Sequence, residues 1–113
     1  MSGSFVLEHL KAADELFVPA VVLGELRYGA RKSRQAQVNL DRINDFEAVA
    51  SVLPVSAATA ERYGIIKAAL RAKGRPFPEN DIWIAAVAVQ HGLPVASRDE
   101  HFREVNGLEL ARW

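Results

Sequence analysis

Pro78-Glu79-Asn80-Asp81-Ile82-Trp83-Ile84-Ala85-Ala86 is the stretch on which the fold turns. Three polar residues lead into a run, Ile82 to Val89, that carries no charge. The run is apolar on every side, so a helix built from it belongs inside a core. Asp81 then sits where a buried helix meets the surface. One reading makes Asn80 or Asp81 the N-cap, favoured by the positive end of the helix dipole. The other makes Asp81 a functional acid held by a rigid element.

Working outward, the chain alternates helices with short apolar runs. Helices are expected over Phe5 to Ala13, Ala20 to Lys32, Ser33 to about Ala48, Ser56 to about Lys73, and from the Asp81 region to Gly92. Pro19 suits the entry to the second of these, Ser56 can cap the fourth, and Gly74 suits its end. Strands are expected at Leu16 to Val18, Val52 to Val55, Leu93 to Ser97 and Leu108 to Ala111, with a short helix or turn from Asp99 to about Glu104. This order implies an α/β sandwich around a largely parallel sheet. The 113 residues suffice for one domain, spanning 1–113, with a single core.

Composition narrows the chemistry. Fourteen Lys and Arg balance fourteen Asp and Glu, so bulk charge does not advertise a nucleic-acid partner. With no cysteine, disulfides, zinc-thiolate sites and cysteine nucleophiles are excluded. No signal peptide or membrane-length apolar run is present, which points to the cytoplasm. His9, His91 and His101 lack metal-ligand spacing and read as surface or capping residues.

Two further carboxylates stand in awkward places. At about 100° per residue, Val21, Val22, Leu26 and Tyr28 fall on one arc of the Ala20–Lys32 helix, and Glu25 projects within it. No basic residue lies three or four positions away. Glu25 is either an inward acid that needs a compensating cation or a half-exposed residue at the rim. Asp99 lies just past the carboxyl end of a strand, where open α/β sheets gather ligands. Ser97-Arg98-Asp99-Glu100 also matches a capping box, with Ser97 as cap. Acids converging on one sheet edge, with no thiol, favour magnesium or manganese. Two basic runs, Arg27-Arg31-Lys32-Arg34 and Arg71-Lys73-Arg75, are candidate phosphate contacts or ordinary solvated surface.

Three segments in order, Val21 to Ala30, Asn80 to Ala86 and Ser97 to Phe102, resemble the motifs of a PIN domain, and more narrowly of VapC-type toxins of toxin–antitoxin pairs. The resemblance runs from about Val6 to the end. It implies a three-layer α/β sandwich and Mg2+- or Mn2+-dependent hydrolysis of RNA. Glu25, Asp81 and Asp99 would be the metal-holding acids, with Asn80 and Ser97 in support. Arg27, Arg31, Lys32 and Arg75 would be weaker RNA contacts. It further implies an antitoxin partner and a homodimer. Members of the family normally begin with a central strand ending in Asp, about twenty residues before the position of Val6, and that motif is absent here. Asp14 is a poor substitute, because it precedes a strand and so belongs at the opposite sheet edge. The expectation is therefore a sheet short of its central strand and a site short of one acid. The alternative reading is a catalytically degenerate module that dimerises or binds an antitoxin.

Overall fold

The structure of the chain, a computed structural model, describes residues 15–75, 77–97 and 99–112. The helix expected over Phe5 to Ala13, with His9, and the neighbouring Asp14 lie outside these residues. Within them the chain runs β1 (Phe17–Pro19), α1 (Ala20–Lys32), α2 (Ala36–Val49), β2 (Ser51–Leu53), α3 (Ala57–Ala72), α4 (Glu79–His91), β3 (Val95–Ser97), a 3-10 helix (Glu100–Glu104) and β4 (Leu110–Arg112).

Helix α4 is the centre of the core. Ile82, Ile84, Ala85, Ala86, Val87 and Ala88 are all buried, so the uncharged run does what its composition demands. Its most extensive partner is α3, which contributes Ile66 and Leu70, while α1 contributes Val22 and Leu23. Helix α3 begins at a capping box. Ser56 Oγ accepts from the Thr59 amide, and Thr59 Oγ1 accepts from the Ser56 amide. The Thr59 hydroxyl, fully buried, also donates to Gln90 Oε1 and so ties the start of α3 to the end of α4. Gly92 ends α4 with φ at +65°, a backbone region that any L side chain strains to occupy.

Pro19 serves twice. Its φ of −64° and ψ of 142° close β1 and form the N-cap of α1, so the strand reaches one residue further than expected. Helix α2 starts at Ala36 rather than Ser33. Ser33 instead caps the C-terminus of α1, its amide and hydroxyl both donating to the Ala30 carbonyl.

The strands are parallel, as expected, but they form two separate pairs. Phe17, Val18 and Pro19 face Ser51, Val52 and Leu53; Val95, Ala96 and Ser97 face Leu110, Ala111 and Arg112. Among the described residues no ladder joins β1 to β3. Between the pairs runs an apolar cleft lined by Phe17, Pro19 and Leu53 on one side and Pro94 and Val95 on the other, with Ile84 and Val87 of α4 as its floor. Helix α4 therefore backs both pairs.

Ile84 is wholly buried at this junction. Ile84→Ala should cost about 2–5 kcal/mol of stability, the range for truncating a buried aliphatic side chain. Urea denaturation followed by circular dichroism measures it. A loss under 1 kcal/mol would mean that α4 is not the shared core.

Candidate active site

The first turn of α4 carries Glu79, Asn80 and Asp81, and the N-cap is Pro78. Neither Asn80 nor Asp81 caps the helix, which corrects the capping expectation: Asp81 is its third residue. An acid there still gains from the free amides and the dipole. Asp81 Oδ2 meets His101 Nε2 at 3.1 Å, with the Asp81 side chain only 13% exposed.

His101 is fixed from two sides. Its ring stacks on Phe102 at 4.6 Å between centroids and takes the edge of Phe77 at the same distance. Phe102 is completely buried, so the 3-10 helix is anchored in the core. The other ring nitrogen, Nδ1, lies 4.0 Å from Asp99 Oδ2. His101 thus stands between Asp81 and Asp99. It is a half-buried bridge rather than the surface or capping residue expected. The legible signal was its position two residues past Asp99; the packing against Phe77 was not legible. His91, in the last turn of α4, is exposed as expected.

Asp99 is the N-cap residue of the 3-10 helix and its side chain is exposed. Ser97 belongs to β3 and caps no helix. Its buried hydroxyl accepts the Asp99 amide at 3.0 Å and fixes the turn that presents the acid. The expected capping box is replaced by this contact, because the strand extends through Ser97 and the helix starts later.

Glu25 approaches from α1. The buried stripe of that helix is Val22, Leu23 and Ala30; Tyr28, placed inward by the wheel, is 67% exposed. Glu25 is half-buried. Its Oε2 accepts from Asn80 Nδ2 at 3.4 Å, and its Oε1 is buried with no hydrogen-bond partner. Glu25, Asn80, Tyr28, Lys32, Val21 and two glycines, Gly24 and Gly29, line one open groove.

The basic residues divide. Arg27 turns to α2, donating to Glu47 at 2.6 Å and Asn44 at 3.0 Å. Arg75 pairs with Glu104 at 3.6 Å. Arg31 is exposed. Lys32 alone of the four lines the groove beside Glu25.

With the geometry in hand, its relatives can be set beside it. A family model of the PIN domain matches residues 4–108. Ribonuclease VapC2 of Haemophilus influenzae is 35% identical over 102 residues, which cover 89% of this chain and 77% of that protein. The tRNA(fMet)-specific endonuclease VapC of Shigella flexneri is 36% identical over 100 residues, 88% of this chain and 76% of that protein. Among solved structures, DNA-bound VapBC of Salmonella typhimurium superposes with a TM-score of 0.86 at 30% identity, covering 94% of this chain and 82% of that one. The chain belongs to the PIN domain family and, within it, to the VapC ribonucleases, the toxins of toxin–antitoxin systems.

VapC-type PIN domains depend in general on a divalent metal. The donors here suit a hard cation: they are carboxylate oxygens, and one of them, Glu25 Oε1, is buried without compensation. They are not closed around a point, since no three His, Asp or Glu side chains among the described residues stand close enough to share one ion. A ligand bound only by the folded state at 100 times its dissociation constant adds about 2.7 kcal/mol. Manganese should therefore raise the melting temperature of the chain, and Glu25→Gln should remove most of that rise. Equal rises in both proteins would place the ion away from Glu25.

Proposed function

We propose that the chain hydrolyses RNA phosphodiesters with magnesium or manganese bound at the edge that carries Asp81, Asp99 and Glu25, acids that would have to draw together around the ion, as the toxin of a toxin–antitoxin pair in the cytoplasm. One observation carries the reading most. Asp81 and Asp99, from separate elements, flank a single imidazole, while Asn80, next to Asp81, reaches Glu25. Three acids from three elements thus line one edge of the domain, and the core holds two of those elements in place.

A bound divalent cation would supply charge neutralisation at the phosphoryl oxygens and acidify the attacking water. The chain's own residues do the rest. Asp81 is held on a helix anchored by the buried Ile82 and Ile84 to Ala88, which limits how far its backbone can move. The His101 contact occupies Oδ2 of Asp81. Ser97 sets the backbone at Asp99, and Asn80 holds one oxygen of Glu25 while the other stays buried without a hydrogen-bond partner. Asn80 and Ser97 act through the acids they hold, a supporting part whose loss typically costs 10–100-fold.

The VapBC complexes that the fold resembles pair a toxin with an antitoxin, and a cognate antitoxin and a homodimer are proposed here on that likeness. No helix among the described residues is long and apolar enough to cross a membrane.

The test is incubation of the chain with structured RNA in magnesium or manganese, beside an EDTA control. Asp81→Asn should lower cleavage by more than the roughly 100-fold upper cost of losing a supporting residue. Its circular dichroism and melting curve should match the parent, since an amide can still accept from His101. Full activity in that variant would sink the site assignment.

A further inference from the structure

Tyr28 is an exposed aromatic ring on the outer side of α1, and a single exposed apolar residue ordinarily needs no explanation. Its setting does. It lines the same groove as Glu25 and Asn80, with Lys32 beside it. Lys32, one helical turn on, holds its Nζ 4.8 Å from the ring centroid. Two of its other helix positions are glycines, Gly24 and Gly29. A Cβ added at Gly24 or Gly29 would meet nothing within 4 Å and would project into empty space.

An exposed ring with a cation beside it, in a groove that leads to a carboxylate, matches the chemistry of single-stranded nucleic acid. Bases stack on aromatic faces, and lysines neutralise phosphates. Arg27 and Arg75 are engaged by acids, and Lys32 is the basic residue that lines this groove, where it can meet a phosphate. We infer that Tyr28 and Lys32 form a nucleotide subsite, in which the ring stacks an unpaired RNA base and Nζ neutralises a phosphate next to it. The inference rests on the ribonuclease reading and extends it by saying where the strand lies: along α1, with the subsite beside Glu25. Tyr28 and Lys32 position the strand and take no part in bond breaking.

The experiment is equilibrium binding of a short, fluorescently labelled, unpaired RNA to the full chain in EDTA, so that metal-dependent cleavage is absent. Loss of one stacked base costs about 5–150-fold in affinity. Tyr28→Ala should raise Kd within that range with no change in the salt slope. Tyr28→Phe, which keeps the ring, should restore binding to within about twofold. Lys32→Ala should lower the log–log salt slope by about 0.7, the contribution of one phosphate contact on a single strand. An unchanged Kd in Tyr28→Ala overturns the subsite. So does an equal loss in Tyr28→Phe, which would assign the effect to the hydroxyl. A Tyr28→Ala chain that binds RNA normally but changes its oligomeric state in sedimentation would show that the ring faces another protein surface, and also overturns it. The two readings fail separately. A wild-type chain that binds RNA through Tyr28 but cleaves none refutes the ribonuclease reading alone. One that cleaves with the same KM and Kd after Tyr28→Ala refutes the subsite alone.

Discussion

The all-round burial of α4 is the constraint on which everything else depends. A helix with Ile84, Ala85, Ala86 and Val87 fully enclosed must be covered on every side, and this chain covers it with α3, α1 and both strand pairs. Its polar groups can lie only at its ends. Glu79, Asn80 and Asp81 are therefore confined to one short stretch of surface, and whatever approaches that stretch meets them together. The site is a by-product of the core in this sense. The most apolar helix fixes the position of the acids at its start to within the tolerance of close packing.

Glu25 and His101 meet that stretch, Asp99 stands beyond His101, and each arrives by a different physical route. Glu25 comes half-buried on a helix anchored through Val22 and Leu23. Asp99 comes on a turn fixed by the buried Ser97 hydroxyl. His101 comes on a 3-10 helix pinned by Phe102. Helix anchoring, a side chain to backbone hydrogen bond and aromatic packing thus hold one polar edge. Glu25 Oε1 is the member buried without a hydrogen-bond partner, a hard oxygen of the kind a divalent cation accepts.

Much of this was legible in the sequence, and the failures have physical reasons. The burial of α4 follows from eight uncharged residues in a row, and the order of helices and parallel strands follows from the alternation of periodic and apolar runs. The three acids were found because each is out of place locally. What periodicity could not show was which side of α1 faces inward. A wheel ranks Tyr28 with Val21 and Val22 by hydrophobicity, whereas the helix buries Val22, Leu23 and Ala30 and leaves Tyr28 outside. The caps were missed because several polar residues competed for each. Pro78 took the place of Asn80 or Asp81, and β3 claimed Ser97 before a helix could use it. The division of the described strands into two pairs is a long-range property, invisible to local pattern.

The two strand pairs also differ in how much chain each must draw in. Phe17 and Ser51 are 34 residues apart, Val95 and Leu110 only 15. Loop-closure entropy grows with the logarithm of that span, so the amino-terminal pair is at a disadvantage of about 0.7 kcal/mol before any contact is counted. The carboxyl-terminal pair, with Ser97, Asp99 and His101 on its connection, is thus the easier half to close. By this measure the turn that carries Asp99 and His101 closes before the helix that carries Glu25 and the groove is joined to its partner strand.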